Sequence, residues 1–143
     1  MKFIADLHIH SHYSRATSRG SNPENLYRWA IYKGLALVGT GDFTHPAWRE
    51  ELKNKLEPAE EGLYRLKEEY TPREEYSPRE EYRPAPLDSL GKPLVRFIVS
   101  GEISTIYKKS GRLRKIHHLI LVPSLEVADK LSRRLEGIGN LHS

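Results

Sequence analysis

The sequence predicts an α/β fold with a parallel sheet, and two observations carry that expectation. Two short apolar runs, Phe3-Ile4-Ala5-Asp6-Leu7 and Leu35-Ala36-Leu37-Val38-Gly39, flank a segment with helical spacing. A strand, a helix and a second strand within about forty residues make a βαβ unit, whose strands run parallel. In addition, each apolar run is followed closely by histidine or an acid. His8 follows the first, Asp42 the second, and Glu102 follows Phe97-Ile98-Val99-Ser100-Gly101. In parallel α/β folds, functional side chains gather in this way at the carboxyl ends of several strands.

The elements follow in order. Ser21-Asn22-Pro23-Glu24 opens a helix with a capping side chain, a proline for the first turn and an early acid. Leu26, Trp29, Ala30 and Lys33 keep helical spacing, and Gly34 stands where a C-cap belongs. Pro46 opens a second helix in which Trp48, Leu52 and Leu56 share one face, and residues 60–70 are expected to be helical with Leu63 and Leu66 inward. A tandem hexapeptide follows: Glu68-Glu69-Tyr70-Thr71-Pro72-Arg73, Glu74-Glu75-Tyr76-Ser77-Pro78-Arg79 and Glu80-Glu81-Tyr82-Arg83-Pro84-Ala85. A proline in each unit forbids a continuous helix or a central strand, so residues 68–92 are expected to form a turn-like or extended surface connection. Residues 94–100 form another strand. Residues 103–107 and 116–122 flank Lys108-Lys109-Ser110-Gly111-Arg112, whose Ser-Gly pair predicts a hairpin. Ser124 caps a last helix with Leu125, Ala128, Leu131 and Leu135 inward, and Gly137 ends it.

At 143 residues the chain can build one compact domain with a real core, and not two. No run approaches the roughly eighteen apolar residues of a membrane span. The start, Met1-Lys2-Phe3-Ile4-Ala5-Asp6, reaches an acid and then histidines at once, unlike a signal peptide, so the expected location is the cytoplasm. There is no cysteine, so any metal must be held by histidine and carboxylate. Glutamine is absent and Glu, Lys and Arg abound, a balance typical of thermophiles. A net charge of +4 favours polyanions such as nucleic acid, although many small domains are as basic without such a partner.

The histidines carry the chemistry. On an extended segment His8 and His10 project to one face about 7 Å apart, a chelating pair, with Asp6 available to orient a ring. Neutral imidazole suits zinc, manganese or iron. Asp42 and Glu102 add carboxylates from other strand ends; His45, His117 and His118 add imidazoles. Gly39-Thr40-Gly41 is a lone Gly-x-Gly, read as a tight turn after a strand, and there is no Ser/His/Asp arrangement and no phosphate loop.

Four segments together resemble a known family. Asp6-Leu7-His8-Ile9-His10-Ser11-His12-Tyr13-Ser14 is similar to the opening motif of PHP (polymerase and histidinol phosphatase) domains. Gly39-Thr40-Gly41-Asp42-Phe43-Thr44-His45-Pro46 occupies the place of their second motif. Gly101-Glu102-Ile103-Ser104 resembles the third, which supplies a bridging carboxylate, and His117-His118-Leu119-Ile120-Leu121-Val122 the following histidine-bearing strand. With Pro46-Ala47-Trp48 and the run from Glu102 to Lys109, the match is closest to the endonuclease Q family.

The resemblance implies a partial, distorted (β/α)7 TIM-like barrel of the PHP type, with residues 1–143 as its N-terminal part. It implies His8, His10, Asp42, Glu102 and His117 as metal ligands. His45 is the second choice for Asp42, because Phe43 stands where the commonest pattern has histidine; His118 is the second choice for His117. His12 is expected to be an exposed neighbour. The implied cofactors are divalent ions, zinc or manganese with magnesium as a third option, and no protein nucleophile is needed. The implied substrate is DNA with a deaminated base or an abasic site, cut on the 5′ side of the lesion. The hairpin residues Lys108, Lys109, Arg112, Arg114 and Lys115 are the candidates for phosphate contact, a merely solvated hairpin being the plain alternative. PHP enzymes complete their site with a further histidine and a late Asp-x-His pair, and nothing after His118 supplies them. The site is therefore expected to be partial, and an incomplete barrel with exposed edges favours self-association. A PHP phosphatase acting on a small metabolite and a non-catalytic fragment binding metal or DNA are the competing readings.

Overall fold

In the computed structural model of the protein, which describes residues 2–15, 17–73, 86–139 and 141, the expected βαβ unit is present. It comprises strand β1 (Ala5–Asp6), helix α1 (Pro23–Lys33) and strand β2 (Leu37–Gly39). Helix α2 (Pro46–Lys55), strands β3 (Leu56–Pro58), β4 (Tyr64–Leu66), β5 (Arg96–Lys109) and β6 (Arg112–Val122), and helix α3 (Leu125–Glu136) follow. The local chemistry explains the helix ends. The Asn22 side chain accepts from the Asn25 amide, Ser124 accepts from Val127, and Gly34 closes α1 at φ 69°, a conformation that costs glycine nothing.

The fold is mixed α/β, with a six-stranded sheet in the order β1-β2-β5-β4-β3 and β6 paired to β5. Strands β1, β2 and the start of β5 are parallel, Ala5 opposite Leu37 and Leu37 opposite Arg96. β3 and β4 run antiparallel at the far side. From Val99 onward β5 leaves the parallel sheet and pairs with β6 in one long hairpin. The two strands expected at 94–100 and 103–107 are thus a single strand running through Gly101.

Residues 60–70 are not helical, which corrects the expectation. The three-residue spacing of Leu63 and Leu66 imitates a helix, but Gly62 takes φ 76° and turns the chain between β3 and β4. Tyr64 and Leu66 are buried on either side of exposed Arg65, a period of two. Only Glu68–Tyr70 makes a single 3-10 turn. Most of the hexapeptide tandem, residues 74–85, lies outside the described residues; beyond it, Leu87 bridges Pro93 around Gly91.

The core forms between the sheet and the helices. Trp48, Phe43, Phe97, Leu52, Val95 and Val99 are the largest of its fully buried side chains. Arg49, on α2, is buried among them and ties the layers together. Its guanidinium donates to the Phe43 and Thr44 carbonyls, to Ser132 Oγ and to Asp129 of α3. Burial raises the Asp129 carboxyl, yet the hydrogen bonds from Lys53 and Arg49 outweigh it and hold the group below the ordinary aspartate range. A depressed carboxyl contributes stability that is full above its unfolded value, about 3.9, and is lost as pH falls through the lower folded value. The urea midpoint of Asp129→Asn is therefore expected to lie below that of the unsubstituted protein at pH 6. The two curves should approach each other below about pH 4; parallel curves would exclude the ion pair as the cause.

Candidate metal centre

Because β1, β2 and β5 run in one direction, the residues just past β1 and β2 and at the middle of β5 share one edge of the sheet. The fit there is close. A Cβ at Gly39 would stand 2.4 Å from the Leu7 carbonyl oxygen, and one at Gly41 2.3 Å from that of Ile9. The segment bearing His8 and His10 therefore lies directly on the backbone of residues 39–41. The Gly-x-Gly is a close approach as well as a turn.

Glu102 is the centre of the cluster, and its two oxygens face different histidines. Oε2 accepts from His8 Nε2 at 2.5 Å and lies 3.9 Å from His10 Nε2, while Oε1 accepts from His117 Nδ1. The hydrogen bond from His117, reinforced by that from His8 and opposed by partial burial, holds the Glu102 carboxyl below the usual carboxylate range. The His8 and His117 side chains are about half exposed, 51% and 50%, so a large substrate can reach them.

Donor atoms of His8, His10 and Glu102 all lie within 4.8 Å of one another. Ligands at about 2.1 Å from a tetrahedral zinc stand about 3.4 Å apart, and the observed 2.5 and 3.9 Å straddle that value. Two imidazoles and a carboxylate without thiolate also suit manganese. The residues present fit a divalent ion.

No family model matches the chain. Over 48 residues, 34% of its length, it is 52% identical to an uncharacterized protein of Methanocaldococcus jannaschii, 6% of which is covered. The whole described fold has closer precedent in solved structures. This chain shares its fold with endonuclease Q. The lesion-specific endonuclease from Pyrococcus furiosus matches 99% of the chain with a TM-score of 0.66 and 27% identity. Endonuclease Q in complex with a 27-mer duplex substrate, an abasic lesion at the active site, matches 97% with 0.64 and 28%. The chain spans 27% of the length of each of those structures, and 6% of the M. jannaschii relative.

The remaining candidates are distributed by geometry. Asp42, expected as a ligand, is turned to its neighbours: Oδ2 accepts from the Ser11 amide and hydroxyl, each at 2.7 Å, and Oδ1 lies 3.0 Å from His10 Nδ1. His10 thus presents one nitrogen to Asp42 and the other to Glu102, as in carboxylate–histidine–metal arrangements. His45 caps α2 and stacks on Tyr13 at 4.4 Å, and it is not one of the three grouped donors. His12, expected to be exposed, is half-buried and paired with Glu51 at 2.8 Å. Pleating separates the last pair: His117 is opposite Ser104, on the face of Glu102, while His118 is opposite Ile103 on the other face and meets Thr105. Lys108, Lys109, Arg112, Arg114 and Lys115 are exposed at the far end of the hairpin.

Ser11 was not foreseen as part of the site; its position between two histidines is the signal in the sequence, and its full burial emerges only in the fold. Phe43 is explained as well. It is fully buried against Gly101, where a Cβ would stand 2.6 Å from the ring, so the side chain after Asp42 serves the core and not the cluster. Trp48 braces the same loop by donating Nε1–H to the Gly41 carbonyl at 2.9 Å.

Proposed function

We propose that the chain carries the metal-binding part of a metal-dependent phosphoesterase of the PHP type, a DNA-repair endonuclease that incises 5′ of deaminated bases or abasic sites. One observation carries the reading: separate segments bring His8, His10, Glu102 and His117 together in a chain that matches endonuclease Q over nearly its whole length. In this reading the sheet is the opening part of a distorted seven-stranded barrel.

His8, His10 and Glu102 would hold a divalent ion, and His117, on the other oxygen of Glu102, would extend the donor set. Asp42 acts through His10, fixing the ring with one nitrogen toward the cluster, and Ser11 fixes Asp42. Bound zinc or manganese, with magnesium as the third option, would supply Lewis acidity and a hydroxide nucleophile at neutral pH. The chain's own part is to hold charge in place: the low-lying Glu102 carboxyl stays ionised and the exposed imidazoles leave room for a phosphodiester.

His117→Ala is expected to weaken zinc or manganese binding by about tenfold or more, while His118→Ala leaves it unchanged in calorimetric titration. Equal effects would return the choice between the two histidines to open. Function is tested by incubating the protein with manganese or zinc and duplexes containing hypoxanthine, uracil or an abasic site. Metal-dependent incision 5′ of the lesion is expected; release of phosphate from histidinol phosphate without incision would favour a phosphatase. A second reading is a unit that binds metal or DNA without turnover. Inactivity of this chain beside activity of a length-extended version would establish it.

A further inference from the structure

Pleating divides the basic hairpin into two unlike faces. β5 and β6 pair without interruption from Val99 opposite Val122 to Lys109 opposite Arg112. The turn residues Ser110 and Gly111 both take positive φ, 52° and 72°, as a two-residue hairpin turn requires. Side chains directly opposite share a face, and the face alternates at each step along a strand. On the face of Glu102 the successive rungs are Glu102–Leu119, Ser104–His117, Ile106–Lys115 and Lys108–Leu113. On the other they are Ile103–His118, Thr105–Ile116, Tyr107–Arg114 and Lys109–Arg112. Lys115 and Lys108 therefore lie on the face of the metal donors, and Lys109, Arg112 and Arg114 on its back.

The chain's positive charge is concentrated in this arm. Residues 103–122 hold five lysines and arginines and no acid, so the other residues are left with 18 basic against 19 acidic side chains out of 23 and 19. Arg49, Lys53, Lys55, Arg65 and Arg96 are each ion-paired, whereas among the described residues none of the five hairpin cations is. Unpaired cations in a row next to a phosphoesterase cluster are placed to meet phosphates.

Their spacing suits one nucleic-acid strand. Rungs on one face recur about every 7 Å, so Lys115 stands about 7 Å and Lys108 about 14 Å beyond His117 along the ribbon. A strand of duplex DNA rises about 3.4 Å along the helix axis per nucleotide and winds around it, so its successive phosphates lie farther apart than that rise. The two lysines thus stand where they can meet phosphates that follow one held at the cluster. We infer that Lys115 and Lys108 form a phosphate track leading one DNA strand into the donor cluster, and that Lys109, Arg112 and Arg114 do not hold that strand. The inference rests on the reading of the cluster as a phosphodiester-cleaving centre.

Two variants of equal charge test it, Lys108→Ala with Lys115→Ala and Arg112→Ala with Arg114→Ala. All four positions lie on the exposed arm outside the core, and circular dichroism checks the fold. The probe is a fluorescent duplex with one abasic site, titrated by anisotropy over a salt series. Each lost phosphate contact lowers the slope of log affinity against log salt by about 0.9. The front pair is expected to reduce the slope by about 1.8 and the affinity about tenfold or more at 0.1 M salt, and the back pair to leave both nearly unchanged. Equal losses, or a larger loss from the back pair, overturn the track while leaving the cluster's role intact. An unsubstituted protein that neither binds the duplex nor incises it removes the underlying reading and the track together.

Discussion

Replacing His8 and His10 together by alanine is expected to leave the protein without bound zinc or manganese after dialysis, as read by elemental analysis. Among the described residues these are two of the three whose donor atoms lie within 4.8 Å of one another, so of that group only Glu102 remains, with His117 beside it. Outer partners of metal ligands alone are worth about 10- to 100-fold in affinity, and direct donors exceed them. The two side chains are 51% and 36% exposed and outside the core, so the metal-free proteins should unfold within about 0.5 kcal/mol of each other. Added metal then separates them. At a hundred times its dissociation constant an ion stabilises the folded chain by about 2.7 kcal/mol, and only the unsubstituted protein should show that gain. Equal metal content in the two proteins would remove the assignment of the cluster.

How far the site was legible depends on which physical rule places each residue. His8, His10 and Glu102 were readable because each sits beyond or within an apolar strand, and parallel strands deliver such positions to one edge. His117 against His118 is a matter of hairpin register, where a slip of one residue exchanges the faces. The signal was present: if Ser110 and Gly111 are the two turn residues, Lys109 faces Arg112 and counting back sets His117 beside Ser104. Asp42 was read as a direct ligand, and the demand of Ser11 on its carboxylate was not legible, because that contact joins residues 31 apart in the chain. The failure at 60–70 has a local cause. Strands of three residues are too short for alternation to outweigh a chance helical spacing, and the left-handed Gly62 settles the matter only in the folded chain.

Gly41→Ala separates two costs that the sequence pattern merges. The residue has φ 67°, a conformation costing an L side chain about 1–2 kcal/mol. Its new Cβ would also stand 2.3 Å from the Ile9 carbonyl oxygen and 3.2 Å from the Cα of His10. Both atoms are backbone, so no side-chain rotation relieves the overlap, and the metal-binding segment itself must move. Gly62 supplies the control, since at φ 76° a Cβ there meets nothing within 4 Å. Gly62→Ala is expected to cost about 1 kcal/mol in urea unfolding and Gly41→Ala about 4 kcal/mol or more. Any Gly41→Ala protein that remains folded should bind zinc or manganese more weakly, because the displaced backbone carries His8 and His10. A cost at Gly41 no greater than at Gly62 would mean that residues 7–10 do not rest on the Gly-x-Gly. The imidazoles would then be held in place by something other than this contact.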